Sequence, residues 1–213
     1  SFLNAMEIAN LYIQDGRKQK ILIISSEITS RVIDNEDPSS SFLLGDGAAA
    51  AIVTPSEDNS RIVASHFRTE ALGENIGVAS VEGGGIRNLP TDSHYHDKMT
   101  TFHVKGPLEL KLAIKFIPAF LGELLAKADC TLDDIDHVIP HQVVPKMITS
   151  ILSHLGIASD KLLINTKHGN MAAASIPVLF ADAVANGIIK RGERVMLFGG
   201  AAGFSLGGII LDF

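Results

Sequence analysis

The sequence predicts an α/β fold of stacked layers, made of two similar halves of which the first is incomplete. Three observations carry this expectation. Strand-length apolar runs alternate with helix-length periodic stretches along nearly the whole chain. A helix–turn–strand unit occurs twice: "ANLYIQDGRKQKILIISSE" is echoed by "AVANGIIKRGERVMLFGGA", and each copy leads into a Gly-rich strand, "LLGDGAAAAIV" or "GAAGFSLGGIILDF". The composition also supplies a core, with 46% of the 213 residues hydrophobic against 20% charged, which excludes a disordered chain.

The elements follow in order. Helix is expected over 2–15, where Phe2, Met6, Ala9 and Ile13 recur at helical spacing without a capping lead-in. The stretch lacks the basic region of a signal peptide. The second half owns four elements (61–165) ahead of its helix–strand–strand unit, and the first half has no counterpart to them. The expectation is therefore that the first repeat extends upstream of Ser1. A strand is expected at 20–26, a polar loop at 28–40, and strands at 46–54 and 61–67. A long loop rich in Gly, His and Asp fills 70–104. After Gly106-Pro107 comes an amphipathic helix with Leu112, Phe116, Phe120 and Leu124 on one face. Strand 136–140 precedes helix 144–155, with Pro145 in its first turn. Strand 161–165, helix 173–189 and strands 193–198 and 205–212 complete the chain. The two halves divide into residues 1–60 and 61–213.

Charge and cysteine content narrow the function classes. A net charge of −6, no Trp and only two Tyr speak against a nucleic-acid surface or a base-stacking platform. The longest apolar runs are broken by Gly and too short to span a bilayer. One cysteine, Cys130, precludes an internal disulfide and fits a reducing, cytoplasmic setting.

Four segments stand out chemically. His141 in "IPHQVV" places a group that titrates near neutrality at the mouth of an apolar segment, although a lone His is more often a cap or a solvated side chain. "KHGNMAAAS" reads as a strand-to-helix turn with Asn170 as a cap, and its small residues imply close backbone approach. "GGAAGFSLGG" is either a tight turn between buried strands or a turn whose N–H groups face a developing oxyanion. "GDGAAAAIV" reads as a paired-Gly turn into a strand without chemistry. His94 and His96 lack a third metal ligand at sensible spacing. Cys130 has no activating neighbour in sequence.

Taken together and in order, "LLGDGAAAAIV", "IPHQVV", "KHGNMAAASIP" and "GERVMLFGGAAGFSLGGIIL" resemble the β-ketoacyl-acyl-carrier-protein synthase III family and its thiolase-superfamily relatives. The resemblance implies a thiolase-like αβαβα sandwich of two similar halves. It implies a Cys–His–Asn set in which His141 and Asn170 match the family's His and Asn, with Ala202 as the aligned backbone donor of an oxyanion hole. The family's nucleophilic cysteine aligns two positions before Ser1. The resemblance further implies a homodimer, no cofactor, and acyl-CoA and malonyl-acyl-carrier-protein as substrates. Lys105, Lys111, Lys115 and Lys146 form either an ordinary solvated helix face, the slightly favoured reading, or a basic rim with Lys111 and Lys146 as the carrier contacts. This chain departs from the family in having Val143-Val144 after "PHQ", where Ala-Asn is common, and Ala201-Ala202 where Gly is usual.

The chemistry accounts for those residue types. A thiolate attacks an acyl thioester to form an acyl-enzyme, and loss of CO₂ from a malonyl thioester leaves an enolate. A neutral imidazole N–H and an amide N–H are donors suited to its oxygen, and losing one such donor costs about 3–4 kcal/mol of barrier. Two alternatives use the same residues: a non-catalytic subunit paired with a Cys-bearing partner, and acyl transfer to oxygen or nitrogen.

Overall fold

The computed structural model describes residues 2–70, 78–165 and 167–213. The elements are α1 (Phe2–Gln14), β1 (Ile21–Ile28), α2 (Pro38–Ser41), β2 (Asp46–Val53), β3 (Arg61–Thr69), β4 (Ala79–Val81), β5 (Phe102–Val104), α3 (Gly106–Lys127), β6 (His137–Pro140), α4 (Pro145–His154), α5 (Ser175–Ala185), β7 (Arg194–Ala201) and β8 (Ser205–Asp212).

A four-stranded sheet in the order β3-β8-β7-β6 forms the centre. β6 runs parallel to β7, whereas β8 is antiparallel to both β7 and β3. One face of this sheet (Val138, Met196, Phe198, Ile210) packs on Phe120 and Leu124 of α3 and Ile148 and Leu152 of α4. The i, i+4 spacing on α3 thus does what its periodicity foretold. The opposite face (Ile139, Val195, Leu197, Ile209) packs on Phe2, Leu3 and Ala9 of α1 and Ile176 and Ala183 of α5. Beyond those helices lies a second sheet, β1-β2, which contributes Ile23 to the same cluster.

The layers therefore run helix, sheet, helix, sheet among the described residues. The echoed unit takes one form twice, since α1 leads to the antiparallel pair β1-β2 and α5 to the antiparallel pair β7-β8. The outer face of β1-β2 is uncovered, with Leu22, Ile24, Ile28 and Ile52 between 59% and 70% exposed. No helix among the described residues is long and apolar enough to cross a membrane.

Four expectations need correction. The polar loop expected at 28–40 contains a 3₁₀ turn at Thr29–Val32 and the start of the short α2. The stretch 161–165 is not a strand. Lys161 O accepts from Val138 N at 2.8 Å and Leu163 N donates to Val138 O at 2.9 Å, and the bridge Val138–Leu162 stands alone. Its backbone leaves the sheet after Leu163, where a side chain takes over the pairing, as described below. The expected loop 70–104 contains the short β4-β5 hairpin, and its residues 71–77 lie outside the described ones. Helix 173–189 is instead a 3₁₀ turn at Ala172–Ala174 followed by α5, which ends at Ala185.

Candidate active site

A cavity of about 990 Å³ opens between the start of α1, the 43–44 segment, β3, β5 and the ends of β6 and β7, and His141, Asn170 and Ala202 all line it. Each is held by a separate part of the chain.

His141 immediately follows β6, and its N–H donates to Phe198 O at 2.7 Å, which continues the parallel ladder by one residue. Its ring rests on the neighbouring strand, where a side chain at Gly199 would bring a Cβ to 2.7 Å from His141 Cβ. By surface area the residue is half-buried, because it faces the cavity; on its other sides protein encloses the ring. That desolvation lowers its pKa from 6.5 to about 4. The imidazole is therefore neutral at pH 7, with one N–H to donate.

A measurable pH dependence follows. The unfolded chain binds a proton at this residue near 6.5 and the folded chain only near 4. The contribution of His141 to stability is thus fully present above 6.5 and is lost as the pH falls from 6.5 towards 4. A proton-resonance titration is expected to show the His141 ring neutral at pH 6 and titrating near 4, and an ordinary midpoint near 6.5 would contradict its burial.

Asn170 is held on both its backbone and its side chain. Its N–H donates to Leu43 O at 2.7 Å, and its C=O accepts from Gly45 N at 2.9 Å, so it pairs with the segment ahead of β2 as a short parallel bridge. Its Oδ1 accepts from Ala172 N at 2.9 Å and from Ser175 Oγ at 3.4 Å, and Ser175 Oγ itself accepts from Met171 N at 2.9 Å. The oxygen is thereby spoken for, and among the described residues Nδ2 makes no hydrogen bond. A side-chain amide held in this way presents N–H groups to the cavity.

The approach of the Asn170 loop to the 43–45 segment depends on Gly45, where a Cβ would lie 1.8 Å from His168 O. Thr29 Oγ1 donates to Gly45 O at 2.6 Å and fixes the segment from its other side. "GDGAAAAIV" was expected to be only a turn into a strand; its first glycine in fact lets the Asn170 loop dock.

Ala202 sits in the turn between β7 and β8, exposed towards the cavity. The left-handed residues of this turn are Gly203, with φ of 80°, and Phe204, with φ of 37°. Ala201 and Ala202 have no positive φ, so neither position requires the backbone freedom of glycine. Phe204 is buried and Ala172 has φ of 45°; strained non-Gly residues thus stand on two walls of the same cavity.

Glu109 was not singled out in the sequence. It lies in the first turn of α3 and lines both the main cavity and a smaller pocket of about 70 Å³ between α3 and α4. Burial raises its carboxyl above the usual carboxylate range. Nothing in the sequence separates it from an ordinary solvated first-turn glutamate.

Lys111 and Lys115 are exposed on α3, Lys146 on the first turn of α4, and Lys105 at the α3 N-cap. Of the two departures after "PHQ", Val143 lines the cavity and Val144 is an exposed N-cap of α4. Cys130 packs against the α3 face of the core, and burial raises its thiol pKa. It is not among the residues lining the cavity. His94 Nε2 pairs with Asn88 Oδ1 at 3.2 Å, and no metal-binding cluster of three ligand-type side chains forms among the described residues.

Comparison with known proteins matches this arrangement. The sequence profile of 3-oxoacyl-[acyl-carrier-protein] synthase III matches residues 1–71, and that of its C-terminal part matches residues 125–213. The chain belongs to the β-ketoacyl-acyl-carrier-protein synthase III family. Both profiles of the family are represented, so the match is not confined to its C-terminal part. The β-ketoacyl-[acyl-carrier-protein] synthase III of Neisseria gonorrhoeae is 32% identical over 213 residues, covering all of this chain and 64% of the relative. The crystal structure of 3-oxoacyl-[acyl-carrier-protein] synthase III from Aquifex aeolicus superposes over the whole chain and 64% of its own length, with a TM-score of 0.85 and 30% identity. The priming β-ketosynthase of the R1128 polyketide pathway superposes over 99% of this chain and 62% of its own, with a TM-score of 0.84 and 25% identity. The fold is thus the thiolase-like sandwich of this family. The chain spans about 64% of the length of the curated relatives it matches.

Proposed function

We propose that the protein to which these residues belong is an acyltransferase that condenses an acyl-enzyme with a malonyl thioester on acyl carrier protein, giving a 3-oxoacyl product with loss of CO₂. The observation that carries this reading is the convergence of a neutral imidazole and a side-chain amide with a fixed oxygen on one cavity. In it, His141 and Asn170 donate to the enolate oxygen that forms as CO₂ leaves, and the Ala202 N–H donates to the thioester oxygen during acyl transfer.

The nucleophile belongs at the start of α1. Phe2, Leu3 and Asn4 line the cavity. A cysteine two positions ahead of Ser1 would stand at that helix terminus, where backbone N–H groups lower a thiol pKa. No cofactor is needed: loss of CO₂ leaves its electron pair on the enolate, which attacks the acyl thioester and expels the thiolate, while imidazole and amide N–H groups hydrogen-bond the enolate oxygen. The partners are acyl carrier protein and coenzyme A thioesters, with the exposed Lys111 on α3 and Lys146 on α4 meeting the acidic carrier; the assembly is a homodimer and the setting cytoplasmic.

The test uses the protein expressed with all sequence encoded around residues 1–213. Incubated with acyl-CoA and malonyl-acyl carrier protein, it is expected to release CO₂ and form a new carbon–carbon bond. Ester or amide products without CO₂ release would assign it to acyl transfer onto oxygen or nitrogen, and failure to become acylated would make it a non-catalytic subunit.

A further inference from the structure

We infer that Gln142 is a positioning residue whose buried amide acts as a strut between the loop carrying His141 and the loop carrying Asn170. The inference rests on the condensing reading of the site.

Gln142 is 1% exposed and lines neither the main cavity nor the smaller pocket beside it, so it does not touch a substrate there. Its Nε2 donates to Pro140 O at 2.6 Å, the carbonyl directly before His141. Its Oε1 accepts from Asn165 N at 2.7 Å. Asn165 Oδ1 in turn accepts from Lys167 N at 2.7 Å and His168 N at 3.2 Å, which locks the turn leading into Gly169-Asn170.

The strut stands where the backbone ladder stops. Leu163 N still donates to Val138 O at 2.9 Å; Pro140 has no N–H to make the next rung, and Asn165 N donates to the Gln142 side chain instead of to a backbone carbonyl. A side chain that bridges this gap must donate to a carbonyl at one end and accept from an N–H at the other. A primary amide does both. Leu does neither, and an ionised Glu cannot donate. Asn carries the same groups on a side chain one methylene shorter. A buried amide paired at both ends also strongly penalises a change of spacing, because either end left unpaired costs its desolvation. The third residue of "PHQ" therefore fixes the distance between the two donors on either side of the enolate.

The experiment compares wild type with Gln142→Leu, and with Gln142→Met as a second variant of near-equal volume should the first not fold. Each is made with all surrounding encoded sequence, alone and combined with Asn170→Ala. Misalignment of about 1 Å lowers turnover by about 100-fold. The expected result is that loss in kcat for malonyl-thioester decarboxylation, with KM within about two-fold and with self-acylation retained. In the Asn170→Ala background the further loss is expected to be under about three-fold, because a strut has nothing to align once one donor is gone. Losses that multiply, or that appear in KM alone, overturn the inference.

Amide hydrogen exchange separates this from failure of the condensing reading. Even if wild type does not decarboxylate the malonyl thioester, the strut predicts at least about ten-fold faster exchange at Asn165, His168 and Asn170 in the variants, with the β7-β8 core unchanged. Unchanged exchange at Asn165 would refute the strut, whatever the protein's activity.

Discussion

Asn170→Asp is expected to lower malonyl-thioester decarboxylation by more than about 10³-fold while the fold survives. Loss of one preorganised donor alone costs about 10²–10³ in kcat. The aspartate adds repulsion, because a carboxylate set beside a forming enolate opposes the charge the site must hold. The replacement is nearly isosteric, and the oxygen that accepts from Ala172 N and Ser175 Oγ is kept in the new side chain. The bridge to Leu43 and Gly45 uses only the backbone of Asn170, so the loop stays docked. Thermal unfolding within a few degrees of wild type, with acylation retained and CO₂ release abolished, is the result expected. Decarboxylation at the wild-type rate would remove Asn170 from the chemistry.

Gly45→Ala carries the other large effect, and it acts first on stability. The new Cβ would meet the carbonyl of His168 at 1.8 Å, a backbone atom that cannot rotate away. Relief requires the Asn170 loop to lift from the 43–45 segment, which breaks the bonds Asn170 N to Leu43 O and Gly45 N to Asn170 O. Overpacking of this kind costs up to about 3 kcal/mol. For a chain of this size that lowers Tm by about 6–12 °C. Calorimetry measures the drop, and decarboxylation is expected to fall with it, since the displaced loop carries the amide donor. Unchanged stability would mean that the loop tolerates a different seat.

These two residues also divide what was legible in the sequence from what was not. Asn170 and His141 were singled out because the order of four motifs along the chain gave each a meaning it lacked alone, and the structure brings both to one cavity. The layering was legible for a similar reason: the helix–strand–strand unit is written twice, and its apolar spacing on α1 and α5 has one physical outcome. Gly45 was read as a turn because its purpose lies in a contact with His168, a residue far along the chain, and a close approach between distant backbones leaves no local pattern. Stretch 161–165 misled for the opposite reason. "LLIN" has the composition of a strand, but the ladder ends at Leu163 when Gln142 captures Asn165 N. The β4-β5 hairpin has strands of three residues each, too short to show a period of two. Glu109 is set apart only by the cavity it faces.

The uncovered β1-β2 sheet has a consequence for how a polypeptide of residues 1–213 behaves in a tube. Its outer face carries Leu22, Ile24, Ile28 and Ile52 with Ala48 and Ala50 between them, broken by Ser26 and bounded by Asp46. As a two-stranded sheet it also has two unpaired edges among the described residues, each a template for another strand. Face and edges together favour stacking of like on like. Colloidal behaviour therefore governs the handling of a polypeptide of residues 1–213: it is to be kept dilute, and Ile24→Lys is expected to lower its self-association.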